Sequence, residues 1–426
     1  MTSIAPSSQE RAAIVGLITG STHRRLESER SLDELAGLAE AAGGRVALRM
    51  AQERPRPDPS TYLGSGKLNE LAAACAEADI DLVIFDTELS PAQLRHIEAA
   101  LERKVIDRTQ LILDIFAKRA RTREGKAQVE LAQLEYLLPR LAGSGAALSR
   151  LGGGIGTRGP GETKLETDRR RIRQRIQQIG REIEQVRQRR AQLRERRQKR
   201  AVPTVALVGY TNAGKTTLFN RLTREGAEAT DALFVTLDPL VRRVRLPDRR
   251  ELLLSDTVGF IDRLPHALVA AFRATLEEVV EADLVLHVID AASPERERHM
   301  RAVHAVLSEL GATDVARIDV YNKCDLLEAG ERQRLRQADP AAILLSAATG
   351  DGCAELLEIV ASRVALDTRR VVFEFDAHDQ SADDRVRRVY RHGRVVRHVA
   401  VDGRVTVEAD VPRRLIPWLQ TGESAP

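Results

Sequence analysis

Aromatic side chains are scarce in this chain of 426 residues, which holds one Trp, five Tyr and eight Phe. The single tryptophan, Trp418, reads as a core anchor near the C-terminus rather than as a base-stacking platform. Cysteine is scarcer still. Cys75, Cys324 and Cys353 are odd in number, far apart and without metal-like spacing, so neither a disulfide framework nor a zinc site is suggested. No apolar run reaches bilayer length, and no basic segment followed by an apolar one opens the chain. The expectation is a cytoplasmic protein with no membrane partner.

What is abundant is charge. The net charge is only +4, but its distribution is uneven. Residues 169–200 carry fourteen Lys/Arg against three Glu, a surplus of eleven, so the remainder must sum to −7. A one-sided surplus of this kind is the electrostatic footprint of a polyanion-binding element. Interleaved Glu and Lys would serve a merely solvated face better.

The length allows two to four domains. Over residues 1–120, strand-like runs such as "AAIVGLIT", "RVALRMAQ" and "DLVIFD" alternate with helical patterns, which predicts a small doubly wound α/β domain. Ser31 is placed as the N-cap of "SLDELAGLAEAAG", and Ser90 with Pro91 starts another helix. Residues 121–200 read as a helical hairpin with a glycine-rich tip loop over 143–161. On its second helix Ile172, Ile176, Ile179, Ile183, Val186 and Leu193 step by four, three, four, three and seven, with Arg190 at the skipped position. That heptad seam needs a partner helix. Residues 201–366 return to strand–helix alternation. Residues 367–426 form a further small α/β unit whose hairpin turns at Asp402-Gly403.

The chemistry lies in residues 201–366. "VALVGYTNAGKTTLFN" is a buried strand, a loop matching G-x-x-x-x-G-K-T and a helix. Gly209 and Gly214 let the backbone curl around phosphate oxygens, with Tyr210, Thr211, Asn212, Ala213 and Thr217 completing the loop. Lys215 reaches the β- and γ-phosphates and Thr216 ligates Mg²⁺. "LFVTLDP" supplies Phe234, Val235, Thr236, Leu237 and Asp238, with Thr236 the candidate switch threonine on Mg²⁺. An apolar strand then ends in Asp256-Thr257-Val258-Gly259, where Asp256 approaches the ion through water and the Gly259 amide senses a γ-phosphate. "VYNKCD" carries Asn322, Lys323, Cys324 and Asp325. The Asp325 carboxylate matches the N1 and N2 donors of guanine, whereas adenine would leave it desolvated and unpaired. Asn322 is expected to tie this loop to the phosphate loop. Ser346, Ala347 and Ala348 offer amides to guanine O6. Five elements in order make this a P-loop, guanine-nucleotide domain, with GTP as substrate and Mg²⁺ as cofactor. The catalytic residues are left open, with Lys215, Thr236 and Gly259 as candidates.

One departure is informative. Signalling GTPases of this class commonly carry a glutamine after the D-x-x-G element to orient water, and here that position is Phe260. Slow intrinsic hydrolysis completed by a partner is expected; the alternative is internal substitution by a residue such as Asp262.

"YLGSGKLNEL", "SRLGGGIGTRGPGETKLETDRRRIR", "GYTNAGKTTLFN", "LFVTLDP" and "SDTVGFIDRLPHALVAAFRATLEEV" resemble the HflX family of translational GTPases, over about residues 10–366. The resemblance implies binding to the large ribosomal subunit, hydrolysis stimulated there, and separation of stalled ribosomes into subunits under stress. It also implies that the hairpin carries its loop toward the peptidyl transferase centre. Arg150, Arg158 and Lys164, with Arg169, Arg170, Arg171 and Arg173, are then candidate contacts to rRNA; such contacts are salt-sensitive and suit recognition of shape. Thr216 replaces a commoner serine and keeps the hydroxyl, and Cys324 fills a variable slot. The chain starts close to its first domain, so no N-terminal extension is expected. A monomer without a DNA partner is expected too. Rival readings are a GTPase of ribosome assembly and a GTP-regulated protein-binding switch. "GSGK" at 64–67 lacks phosphate-loop spacing, and His96, His287 and His299 show no ligand-like grouping.

Overall fold

β1 (Arg11–Ile18) is the buried heart of the N-terminal sheet, with Ala12, Ala13, Ile14 and Val15 fully enclosed. Around it, in a computed structural model of the chain, stand α1 (Thr22–Ala41), β2 (Arg45–Glu53), α2 (Ser65–Glu77), β3 (Leu82–Phe85), α3 (Pro91–Leu101), β4 (Lys104–Asp107) and α4 (Arg108–Arg119). The strands are parallel in the order β2-β1-β3-β4. One apolar cluster, including Val15, Leu71, Phe85, Ile97 and Val105, joins the sheet to α2 and α3. Burying each such side chain contributes about 1.5–3 kcal/mol. The start of α3 is as predicted. The Ser90 hydroxyl accepts from the Gln93 amide at 3.2 Å and Gln93 Oε1 accepts from the Ser90 amide at 3.0 Å, with Pro91 at the first turn.

Ser31 is a correction. It lies inside α1, buried, rather than capping it. The upstream "THRRLESER" is rich in good helix formers and contains no breaker, so nothing stops the helix from beginning nine residues earlier.

The structure describes residues 9–19, 22–141, 160–199, 202–223, 233–262, 273–364, 368–376, 382–401, 403–412 and 416–421. They fall into two units, considered separately: the first chiefly residues up to 184, with Leu233 and Phe234, the second the rest. In the first unit α5 (Arg123–Arg140) meets the opening half of α6 (Pro160–Lys199). Arg175 grips Glu130 through two bonds of 2.7 and 2.8 Å, and Arg123 lies 3.9 Å from Glu182, so the two helices run antiparallel. Ile179 of the seam is fully buried, while Ile172, Ile176, Ile183 and Val186 are half-buried. The side chains of Arg190 and Leu193, and Asp402 of the later hairpin turn, lie outside the described residues.

The second unit contains β5 (Thr204–Val208), α7 (Lys215–Thr223), β6 (Leu240–Arg245), β7 (Glu251–Asp256), α8 (Arg273–Val280), β8 (Leu284–Asp290), α9 (Arg296–Glu309), β9 (Arg317–Asn322), α10 (Ala329–Ala338), β10 (Ile343–Leu344) and α11 (Cys353–Arg363). Its strands are ordered β10-β9-β8-β5-β7-β6, all parallel except β6, which runs antiparallel to β7. Beyond them β11 (Thr368–Asp376), α12 (Ala382–His392), β12 (Arg394–Val401), β13 (Arg404–Pro412) and α13 (Ile416–Thr421) build an antiparallel sheet, β11-β13-β12, around Phe373, Val389, Val407 and Leu419. Trp418 packs against this cluster, as expected of an anchor, and Gly403 takes the positive φ (+76°) its turn requires. Among the described residues no helix is long and apolar enough to cross a membrane.

Candidate nucleotide-binding site

The parallel sheet delivers the ends of β5, β7 and β9 to one edge, where open α/β sheets hold ligands. The loop after β5 needs glycine at two places because of what surrounds it. A Cβ on Gly209 would stand 2.2 Å from the Val288 carbonyl, and one on Gly214, at φ +90°, would stand 2.2 Å from Asn322 Nδ2. The second close approach exists because Asn322 Nδ2 donates to the Ala213 carbonyl at 2.8 Å. The tie between base loop and phosphate loop is therefore present as expected. On its other side Asn322 Oδ1 accepts from the Ala347 amide at 2.9 Å.

Lys215 is buried, and its ammonium donates to the carbonyls of Gly209 (3.1 Å) and Tyr210 (2.9 Å). Burial pulls its pKa down to about 8, with Asp256 opposing the shift. Three oxygens converge beside it. The Thr216 and Thr236 hydroxyls are 2.7 Å apart and lie 2.8 and 2.9 Å from Asp256 Oδ2. Burial pushes the Asp256 carboxyl upward, and its Oδ1 is enclosed without a hydrogen-bond partner. Hard oxygens with an unsatisfied carboxylate atom are the donor set magnesium takes, so these residues fit Mg²⁺ held by the two hydroxyls and, through water, by Asp256. Thr257 faces away, its hydroxyl donating to the Leu207 carbonyl at 2.6 Å.

After β7 the backbone closes onto the phosphate loop. The Thr211 amide donates to the Phe260 carbonyl (2.7 Å) and the Phe260 amide to the Gly209 carbonyl (3.1 Å). Phe260 is itself buried, so its ring occupies core. A Cβ on Gly259 would come within 2.9 Å of Thr211 Cα. Asp262 is engaged elsewhere: its carboxylate takes Arg298 at 2.8 and 3.2 Å, and its amide donates to the Tyr210 hydroxyl at 2.9 Å. Tyr210 in turn stacks on His299 with centroids 3.9 Å apart.

Cys324 is buried and Asp325 is exposed at the tip of the base loop, while Lys323 forms an ion pair with Asp290 (2.8 Å). Ser346 and Ala347 are buried beside them. The ring of Phe234 has a partner of its own. It belongs to the first unit and packs edge to face on Phe116 at 4.7 Å. Val235 and Asp238 are half-buried and Leu237 is buried. Three positioning residues were not foreseen. Arg221 of α7 donates to the carbonyls of Ala347 (3.1 Å) and Ala348, and Arg298 and His299 of α9 brace Asp262 and Tyr210. None sits in a motif, so only the folded chain reveals them. On α6, Arg170, Arg171 and Arg173 are exposed and Arg169 half-buried. Arg150, Arg158 and the Lys164 side chain lie outside the described residues.

Comparison with known proteins agrees with this geometry. Family profiles described as GTP-binding GTPase N-terminal, GTP-binding GTPase middle region and 50S ribosome-binding GTPase match residues 29–117, 119–197 and 204–323. GTPase HflX of Lacrimispora saccharolytica is 44% identical over 417 residues, covering 98% of this chain and 97% of that protein. The chain belongs to the HflX GTPase family. GTPase HflX of Caldanaerobacter subterraneus subsp. tengcongensis is 49% identical over 86% of this chain and 83% of its own length, and that of Escherichia coli (strain K12) 48% over 78% and 79%. Among solved structures, a GTP-binding protein of Sulfolobus solfataricus in complex with GDP aligns over 84% of this chain and 99% of its own, at 23% identity and a TM-score of 0.44. As a member of the HflX family, the chain is a GTPase, an α/β multidomain protein with an N-terminal domain, a helical region and a P-loop GTPase domain.

Proposed function

We propose that this HflX GTPase binds the large ribosomal subunit and uses GTP-dependent switching to separate stalled or stress-affected ribosomes into subunits. The observation that carries the reading is the helical hairpin: Ile179 is buried and Arg175 grips Glu130 of the partner helix, while Arg170, Arg171 and Arg173 face solvent. A rigid mount with an outward basic face suits insertion into folded RNA, where phosphate contacts dominate affinity. The match of residues 204–323 to a profile described as a 50S ribosome-binding GTPase supports the same partner.

In the hydrolysis of GTP to GDP and phosphate, Lys215 and the Gly259 amide would hold the γ-phosphate, Thr216 and Thr236 would ligate Mg²⁺, and Asp256 would order its water. Magnesium held there would supply positive charge to offset the charge developing on the phosphates. Asp325 and the Ser346-Ala347-Ala348 turn would read guanine. With Phe260 where a glutamine commonly orients water and Asp262 held by Arg298, no obvious water-orienting side chain stands among the described residues, which is why stimulation by ribosomes belongs to the proposal. The protein would act in the cytoplasm as a monomer.

The test is sucrose-gradient sedimentation of intact ribosomes with the full chain. GTP should convert them to subunits, GDP should not, and deleting residues 143–161 should abolish both conversion and stimulated hydrolysis. Stimulation only by precursor particles would favour an assembly role. Indifference to every ribosomal particle at low salt would end the proposal.

A further inference from the structure

β8 and β9 set His287 directly opposite Asp319. His287 is buried, and its Nδ1 lies 3.0 Å from Asp319 Oδ1. From α9, His304 leans onto the same pair, its ring centroid 5.3 Å from that of His287 at an interplanar angle of 55°. One ligand-type atom from each of the three residues lies within 4.8 Å of the others. The grouping has no local signature in the sequence because its members come from three separate elements, β8, α9 and β9.

A hydrogen-bonded His–Asp pair would account for two of the three residues. It does not account for His304, whose Nε2 is enclosed without a hydrogen-bond partner. Leaving such a group unsatisfied is costly, because it has given up water without gaining a partner. His304 also lines a cavity of about 370 Å³, together with Thr313 and Arg317. The arrangement therefore has two imidazoles, one carboxylate, an unfilled nitrogen and an adjoining space.

We infer that His287, His304 and Asp319 form a binding site for a divalent transition-metal ion of the zinc class, built from residues that the nucleotide pocket does not use. Imidazole with carboxylate suits Zn²⁺, Co²⁺ or Ni²⁺ rather than the all-oxygen shell of Mg²⁺. Ligand atoms about 2.0–2.2 Å from zinc stand roughly 3.3–3.6 Å apart in a tetrahedron, so the His287–Asp319 pair, now 3.0 Å apart, would open slightly while His304 moves in toward it. The ion would sit where the His287–Asp319 hydrogen bond now runs, with its fourth position turned toward the cavity. Arg317 Nε, 3.3 Å from Asp319 Oδ1, is the competing cation; its side chain is 39% exposed and can turn into water as the ion takes the carboxylate.

The experiment uses the full chain, stripped of metal and then saturated with Mg²⁺ and GDP to fill the nucleotide pocket. Titration with Co²⁺ is followed by the visible absorption of four-coordinate cobalt, and Zn²⁺ is added to displace it. One equivalent should bind, and His304→Gln and Asp319→Asn should each weaken binding by about tenfold or more with GDP affinity unchanged. His304 is only half-buried, so its glutamine variant is expected to fold. Absence of the cobalt spectrum, or equal binding by both variants and the parent, would overturn the site.

Discussion

Asn322 Nδ2 donates to the Ala213 carbonyl at 2.8 Å, across 109 residues of sequence, and so fastens the base loop to the phosphate loop. With its Oδ1 holding the Ala347 amide, the same side chain serves three loops at once. Asn322→Ala removes two buried bonds, each contributing about 0.5–1.5 kcal/mol net. Affinity for GTP and GDP should fall together, by about tenfold or more, in equilibrium titration. Loss for one nucleotide alone would contradict a purely structural tie.

Asp325 should govern base choice. Asp325→Asn exchanges an acceptor for a donor, which suits the extra carbonyl of xanthine. Competition between GTP and XTP should reverse in favour of XTP; a variant that keeps its GTP preference would show that guanine is read elsewhere.

Gly259→Ala should separate binding from hydrolysis. The added Cβ would press on Thr211 Cα at 2.9 Å and approach Lys215 Nζ at 3.2 Å. The segment must shift where a γ-phosphate would be sensed, so ribosome-stimulated hydrolysis should drop by about tenfold or more while GDP affinity changes little. Single-turnover assays with parallel GDP titration check this.

Acid should weaken the second unit through its enclosed histidines. Burial lowers the pKa of His299 and of His392 below the ordinary imidazole range. As pH falls through that range the unfolded chain takes up protons before the folded one, so the stability contributed by keeping these rings neutral is present above it and lost below it. Between about pH 7.5 and about pH 5.5 the melting temperature of the parent should fall more steeply than that of His299→Gln with His392→Gln. Parallel slopes would mean that the two rings contribute nothing.

The hairpin offers a pair of contrasting variants. Ile179→Ala leaves a hole in the helix seam and should cost about 2–5 kcal/mol locally, reducing ribosome-stimulated hydrolysis without touching GTP affinity. Replacing Arg170, Arg171 and Arg173 with alanine leaves the seam intact. It should instead flatten the salt dependence of ribosome binding, by roughly one unit of log–log slope per lost phosphate contact. Sedimentation across a salt series distinguishes the two.

Legibility in the sequence followed the range of the interactions. Ser90 with Pro91 could be read because a helix start is decided within four residues. The loop from Gly209 to Thr216 could be read because phosphate binding demands a fixed local spacing. Ser31 misled because a serine before an apolar run looks the same whether the helix begins there or has already begun. Phe234 lies two residues before Thr236 in the sequence, yet its ring packs on Phe116, a partner far back in the chain. Arg221, Arg298, His299 and His304 carry no local signature at all, since their significance arises only when distant strands and helices are brought together.

Helix α7 has Lys215 and Thr216 at its first turn and Arg221, which grips the Ala347 and Ala348 carbonyls, near its last. On the proposed reading, purine and triphosphate would be grasped from opposite ends of one short rod. A nucleotide held this way would not peel off from either side while the rod stays put. Its departure would be a single concerted event, and whatever tilts that rod would set the tempo of exchange.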